Sequence, residues 1–148
     1  MLPDAIELVI VTPERQLLRE SVVEVVLPGA DGELGILPGH APLITELGIG
    51  ELRFRDAGGK EEVHLAIIRG FAEVLTDRVT VLAETAELAE EIDIERAKQA
   101  LERAQARISA GDPDIDWDRA SAALQRALIR IKVGEYGTRR RTAIVQAP

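Results

Sequence analysis

Six arginines beyond residue 91 stand at spacings that could bind an anion. Arg96, Arg103 and Arg107 fall on one narrow stripe of a helical wheel, and Arg119, Arg126 and Arg130 fall on another. Arg103 has Arg107 four positions on, and Arg126 has Arg130; neither pair has a carboxylate three or four residues away on its own helix. Like charges at that spacing cost a helix about 0.2–0.5 kcal/mol each. Guanidinium groups fork onto phosphate and carboxylate oxygens, so the pattern suits a polyphosphate or an acidic protein surface. The same arginines could equally be solvated charges, or pair with acids elsewhere in the chain.

A second stretch invites a chemical reading. "LPGADGELGILPGHAPLITELGIG", residues 27–50, holds six glycines, three prolines and His40, one of two histidines. It is not a phosphate loop, which needs Gly-x4-Gly-Lys-Ser/Thr running into a helix; this run has no lysine and lies among strand-like segments. Its glycines and prolines are expected to turn the chain tightly at one end of a β-domain. Nucleophilic catalysis finds little support: there is no cysteine, and Ser21, Ser109 and Ser121 sit in plain contexts. His64, alternating with Val63 and Leu65, is expected on the polar face of a strand. Two isolated histidines do not make a metal site.

The elements that must carry these residues differ between the two halves. Residues 1–91 carry 7 basic and 18 acidic side chains, and residues 92–148 carry 11 basic and 8 acidic, within a net charge of −8. The overall balance argues against nucleic acid as a partner. The first half reads as β: "IELVIVT" (6–12), "SVVEVVLP" (21–28), "ELRFRD" (51–56), "EEVHLAIIRG" (61–70), "FAEVLT" (71–76) and "RVTVLAE" (78–84) are short and aliphatic. Leu52 and Phe54 alternate with Glu51, Arg53 and Arg55, which separates an apolar from a charged face. Close turn signals such as Gly58-Gly59 argue an antiparallel sandwich or barrel. With only four aromatics, the core must be aliphatic.

After residue 91 the period changes to that of a helix. Ala97, Ala100, Leu101, Ala104 and Ile108 form one stripe; Trp117, Ala120, Leu124, Ala127, Leu128 and Ile131 form a second, with Trp117 expected as its core anchor. Gly111 and Pro113 separate the two, and Asp93 and Asp116 are placed to cap them. An antiparallel pair of helices joined by a short loop follows. Alanine-rich seams bury little area, so such a hairpin could open or move. "GEYGTRRRTAIVQAP" shows no period and reads as a flexible basic tail. The start of the chain does not resemble a signal peptide, and no window reaches the ~20 apolar residues of a membrane helix.

Four segments together carry a family resemblance: "GELGILPGHAPLIT" (32–45), "RGFAEVLTDRVTVLAETAE" (69–87), "IDIERA" (92–97) and "DIDWDRASAALQRALIRI" (114–131). In order and spacing the chain resembles the epsilon subunit family of bacterial F-type ATP synthases, from about residue 5 to 134. The resemblance implies an all-β plus α chain: an N-terminal antiparallel β-sandwich (1–87), a C-terminal antiparallel two-helix hairpin (88–134) and the tail (135–148). It implies a non-catalytic rotor part on the cytoplasmic face of the bacterial plasma membrane, reaching the membrane only through its complex. The sandwich would dock on the gamma subunit and the c-ring, coupling proton flow to ATP synthesis, with Glu33 and His40 at the c-ring face. His40 could instead be a purely structural loop residue.

The hairpin would lie compact or extend toward the catalytic beta subunits and block ATP hydrolysis. Family members bind ATP through a motif matched by Ile92, Asp93, Arg96 and Ala97, with further contacts corresponding to Glu87, Arg103, Arg126 and Arg130. ATP is thus expected as a regulatory ligand, with no required cofactor and no part assigned to Mg²⁺. Asp93 as a helix cap is the simpler reading of that residue. A free-standing nucleotide-sensing adaptor would show the same arginines. The tail and its "TRRR" have no counterpart in the family pattern.

Overall fold

A computed structural model of the chain describes residues 1–146, and the side chains of residues 1–139. The chain divides into two compact units, Met1–Glu87 and Leu88–Pro148.

The first unit is built from β1 (Ile6–Val11), β2 (Gln16–Gly29), β3 (Gly32–Ile36), β4 (Leu43–Asp56), β5 (Glu62–Val74) and β6 (Arg78–Leu88). Neighbours follow the order β1-β6-β5-β4-β2-β3, and β1 also pairs with β2. The length of β2 makes this possible. Its first half pairs antiparallel with β1, while its second half pairs with β3 and β4. Hydrogen bonding therefore runs round a closed circuit, and the inward residues meet as two layers. Alternation decides which these are: Ile6, Leu8 and Ile10 are fully buried while their neighbours are not. Val25, Leu52, Phe54, Leu65, Ile67 and Val81 complete an aliphatic core in which Phe54 is the one aromatic among the largest fully buried side chains.

Three strand expectations need correction. β1 and β6 pair in parallel, the exception in an otherwise antiparallel set. The runs 61–70 and 71–76 are one strand, β5. Gly70 (φ 148°) lets the strand continue where a Cβ would lie 2.1 Å from the Leu82 carbonyl oxygen. Residues 27–50 do turn tightly, between Gly29 and Gly32 and again at Pro38–Gly39, but most of the stretch is strand. Gly50 is there for closeness, since a Cβ on it would meet the Pro28 side chain at 2.7 Å.

In the second unit a 3-10 turn (Ala89–Glu91) leads into α1 (Ile94–Ser109), followed by α2 (Trp117–Gln146). Asp93 caps α1 by accepting from Arg96 N–H at 3.1 Å, and Asp116 caps α2 through Arg119 N–H at 3.1 Å. Gly111 takes φ 70° just past the end of α1, as a helix stop requires. Ala97, Ala104, Ala120, Ala127 and Val133 are buried. Trp117 is 62% exposed and Leu128 is exposed too, so neither anchors the seam as expected. The expected flexible tail is also corrected. α2 continues without a break to Gln146, its glycines buried at positions 134 and 137. Residues 147 and 148 of that tail lie outside the described residues.

Candidate functional site

The antiparallel run of α1 and α2 decides which arginines meet. Arg103 and Arg107 lie one turn apart on α1, Arg126 and Arg130 one turn apart on α2. All four line one groove of about 230 Å³ between the helices, whose remaining lining is Ala100, Ala104, Ala123 and Ala127. Alanine lets the helices approach and leaves room above the seam, and the long arginines wall that room. No carboxylate contributes to the lining. Arg103 and Arg107 are exposed, Arg126 and Arg130 half-buried. Among the described residues, no carboxylate lies in ion-pair reach of Arg103, Arg107 or Arg126. An anion in this groove would be held by charge-assisted hydrogen bonds from both helices.

Of the residues expected to bind nucleotide, the groove thus unites Arg103, Arg126 and Arg130. Asp93 is committed to its cap, Arg96 is exposed beside it, and Ile92 and Ala97 are buried. None of these four lines the groove. Glu87 lies on β6 in the other unit, half-buried and engaged by a neighbour. Arg107 is the member that the expected set omitted. Its place on the stripe with Arg103 was the available signal.

The expected docking residues have structural partners. Arg53 on β4 reaches Glu33 on β3 through Nη1 to Oε1 at 3.2 Å and Nη2 to Oε2 at 3.4 Å. Glu51 and Glu62 stand 3.7 and 3.6 Å from the same guanidinium. The hydrogen bond to Glu33, reinforced by the charges of Glu33, Glu51 and Glu62, raises the Arg53 pKa above its ordinary value against the opposing effect of burial. His64, opposite Arg53 in register, brings Nδ1 to 3.1 Å from Oε1 of the buried Glu51. His40 contributes Nδ1 to the Ala41 carbonyl at 2.7 Å, a local loop contact. Gly39 N–H donates to the Thr76 carbonyl at 2.7 Å, tying that loop to the turn before β6.

One surface escaped sequence reasoning. Ile44, Phe71 and Leu82 are 76%, 55% and 55% exposed. Phe71 and Leu82 share a cleft of about 430 Å³ with Val11, Pro13, Arg69 and Glu46. Only strand register turns these side chains outward: Phe71 pairs with Glu46, whose alternate neighbour on the same face is Ile44. Among the described residues, no group of three or more His, Asp or Glu could hold a metal ion, and no helix is long and apolar enough to cross a membrane.

The two units correspond to two family profiles. Residues 5–89 match "ATP synthase, Delta/Epsilon chain, beta-sandwich domain", and residues 90–135 match "ATP synthase, Delta/Epsilon chain, long alpha-helix domain". The chain belongs to the ATP synthase delta/epsilon chain family. Within that family it is similar to the ATP synthase epsilon chain of Solibacter usitatus, 58% identical over 104 residues, covering 70% of this chain and 76% of the relative. The epsilon chain of Carboxydothermus hydrogenoformans is 53% identical over 110 residues, covering 74% and 81%. Among solved structures, a chain of the Euglena gracilis mitochondrial ATP synthase (OSCP/F1/c-ring) superposes with a TM-score of 0.78 at 28% identity, over 89% of this chain and 82% of that one. A chain of the Tetrahymena thermophila central stalk and c-ring shares the fold, with a TM-score of 0.56 at 12% identity. The chain is of the epsilon type, the central-stalk class of F-type ATP synthase subunits. The family match to the helical domain stops at residue 135, whereas α2 runs on to Gln146.

Proposed function

We propose that the chain is a rotor subunit that carries its own nucleotide sensor. The β-unit docks on the gamma subunit and the c-ring and helps couple proton translocation to ATP synthesis, without catalysing bond chemistry itself. The complex then sits on the cytoplasmic face of a bacterial plasma membrane, and this chain reaches the membrane only through its partners. The exposed apolar side chains Phe71 and Leu82, which share one cleft, support partner docking, because apolar surface of this kind on a β-sandwich is best covered by another protein.

The hairpin is the regulatory part. Extended toward the catalytic beta subunits it restrains ATP hydrolysis, and ATP bound in the arginine groove favours the compact form. The observation that carries this reading is the convergence of four arginines on one groove without a lining carboxylate. A ligand that binds only one form stabilises it by RT ln(1 + [L]/Kd), about 1–3 kcal/mol when ATP exceeds Kd severalfold to a hundredfold. The arginines hold phosphate oxygens directly, so Mg²⁺ is not assigned a protein ligand in this scheme. A free-standing adaptor would share the groove but would have no use for the two-domain likeness to rotor chains.

Calorimetric titration of the full chain with ATP tests the sensor. Saturable binding that Arg103→Ala weakens is the expected result; no saturable heat up to millimolar ATP sinks the sensor and leaves the rotor role standing. Copurification with a gamma subunit at equal stoichiometry tests the rotor role separately.

A further inference from the structure

α2 carries Gly134 and Gly137 one turn apart, although glycine is the poorest helix former after proline. Both are buried. What they gain is proximity to the segment that leads into α1. A Cβ on Gly137 would lie 2.4 Å from the Ala89 carbonyl oxygen and 2.8 Å from the Glu90 nitrogen. A Cβ on Gly134 would lie 2.7 Å from Cγ1 of Ile94 and 3.1 Å from Cγ2 of Ile92. The 3-10 turn at Ala89–Glu91 is therefore pressed against the bare backbone of α2. Gly134 lies just inside the family-matched span and Gly137 two residues past its end, on the part of α2 that runs on to Gln146.

We infer that Gly134 and Gly137 are positioning residues for the arginine groove, forming a latch that keys the start of α1 to α2. The inference rests on the nucleotide-site reading above and adds the element that sets its geometry. Asp93, within the latched segment, caps α1, so where Ala89–Ile94 sits decides where α1 begins. A one-residue slip of α1 would turn its face by about 100°, carrying Arg103 and Arg107 away from Arg126 and Arg130. The latch prevents that slip because the Ala89–Glu90 backbone and the Ile92 and Ile94 side chains press on bare helix backbone, which a side chain at either glycine would pry apart. Ile92 and Ile94 supply the apolar cover, and Ile92 is buried.

The test uses full-length variants, with amide hydrogen exchange and ATP calorimetry on each. In Gly137→Val, exchange across residues 88–96 should accelerate by about tenfold or more while the β-unit amides stay protected. ATP binding should weaken by at least about fivefold, as expected when a preorganised site must be reassembled. Gly134→Ala should show a smaller effect of the same kind. Alanine favours a helix over glycine, so any loss in Gly134→Ala reports its clash with the Ile94 side chain, and adding Ile94→Ala should recover protection and affinity relative to Gly134→Ala alone. Unchanged exchange at 88–96 in both single variants, or no recovery in the double variant, overturns the latch. If Gly137→Val does not fold, the Gly134/Ile94 cycle decides. If the parent chain binds no ATP, the nucleotide reading fails alone, and the exchange data still decide whether the latch exists.

Discussion

Arg53 and Glu33, twenty residues apart, face each other across neighbouring positions of the sandwich as a two-pronged guanidinium–carboxylate pair, at 3.2 and 3.4 Å. The fork explains Glu33 without reference to a partner, yet the two partners do not contribute equally. The Glu33 side chain is 58% exposed, while Arg53 also faces Glu51, whose side chain is 5% exposed. Glu33→Gln should therefore cost no more than about 1 kcal/mol. Arg53→Met removes the guanidinium charge shared by Glu33, Glu62 and the buried Glu51, and should cost about 2–4 kcal/mol. Urea unfolding of the two variants checks the order, and equal losses would contradict it. Since its neighbours raise the Arg53 pKa, its contribution is complete at every pH below the ordinary guanidinium value and is lost only as pH rises through the raised one. The difference between Arg53→Met and the parent should thus show no loss of Arg53 charge between about pH 6 and 10.

Asp93 separates capping from ligand binding. Its carboxylate accepts from Arg96 N–H, a bond that asparagine can replace and alanine cannot. Asp93→Ala should destabilise the hairpin by about 1 kcal/mol, and Asp93→Asn by a few tenths at most. Thermal melts read this difference. If Asp93→Asn keeps the melting temperature but loses ATP affinity, the carboxylate serves the ligand as well as the helix.

The groove makes a sharper prediction about charge. Arg126 is half-buried on the groove wall, and Arg126→Gln should weaken ATP binding by roughly tenfold or more. Lys98 lies off the groove, paired with Glu95 at 3.6 Å, and Lys98→Gln should leave affinity within about twofold. Calorimetry at two ionic strengths completes the test, because binding by this wall should weaken as salt rises. Equal effects from the two substitutions would remove Arg126 from the site.

Two glycines of the β-unit separate steric from conformational cost. Gly32 has φ 138° with nothing near its missing Cβ, whereas Gly70 has φ 148° and the Leu82 carbonyl oxygen at 2.1 Å. Gly32→Ala should cost about 1–2 kcal/mol, from backbone strain. Gly70→Ala must also push β6 away, and should cost at least about 3 kcal/mol or prevent folding. Chemical denaturation that ranks them the other way would mean that β5 and β6 are not held this closely.

Much of this architecture could be read from one dimension because its causes are local. The alternation of Leu52 and Phe54 with charged neighbours announces a two-faced strand, and burial follows it at Leu52, Arg53, Phe54 and Arg55, with Glu51 buried against the pattern. Asp93, Asp116 and Gly111 mark helix ends through bonds and dihedrals that span only a few residues. Missing carboxylates at i,i+3 and i,i+4 singled out the arginine stripes before any contact was visible.

Other features depend on partners distant in sequence. The six glycines at 27–50 looked like turns because glycine permits them; Gly32 and Gly39 do take positive φ beside turns, but Gly29 and Gly50 serve close approach within strands. Trp117 looked like a core anchor by its size and position, yet the alanine seam closed without it. The stretch after residue 134 showed no stripe, and the contact that Gly137 makes there is one of bare backbone, which leaves no apolar position to mark it in the sequence.

The sequence by itself determined the two-part plan, the helix caps and the choice of arginine as the groove's chemistry, since each follows from propensity, periodicity or charge over a few residues. Tertiary structure alone decided that β1 and β6 run parallel, that Arg107 joins Arg103, Arg126 and Arg130, and that Gly137 meets Ala89. Those facts depend on which surfaces fit when distant segments are brought within a few ångströms, and shape complementarity of that kind leaves no period in the chain.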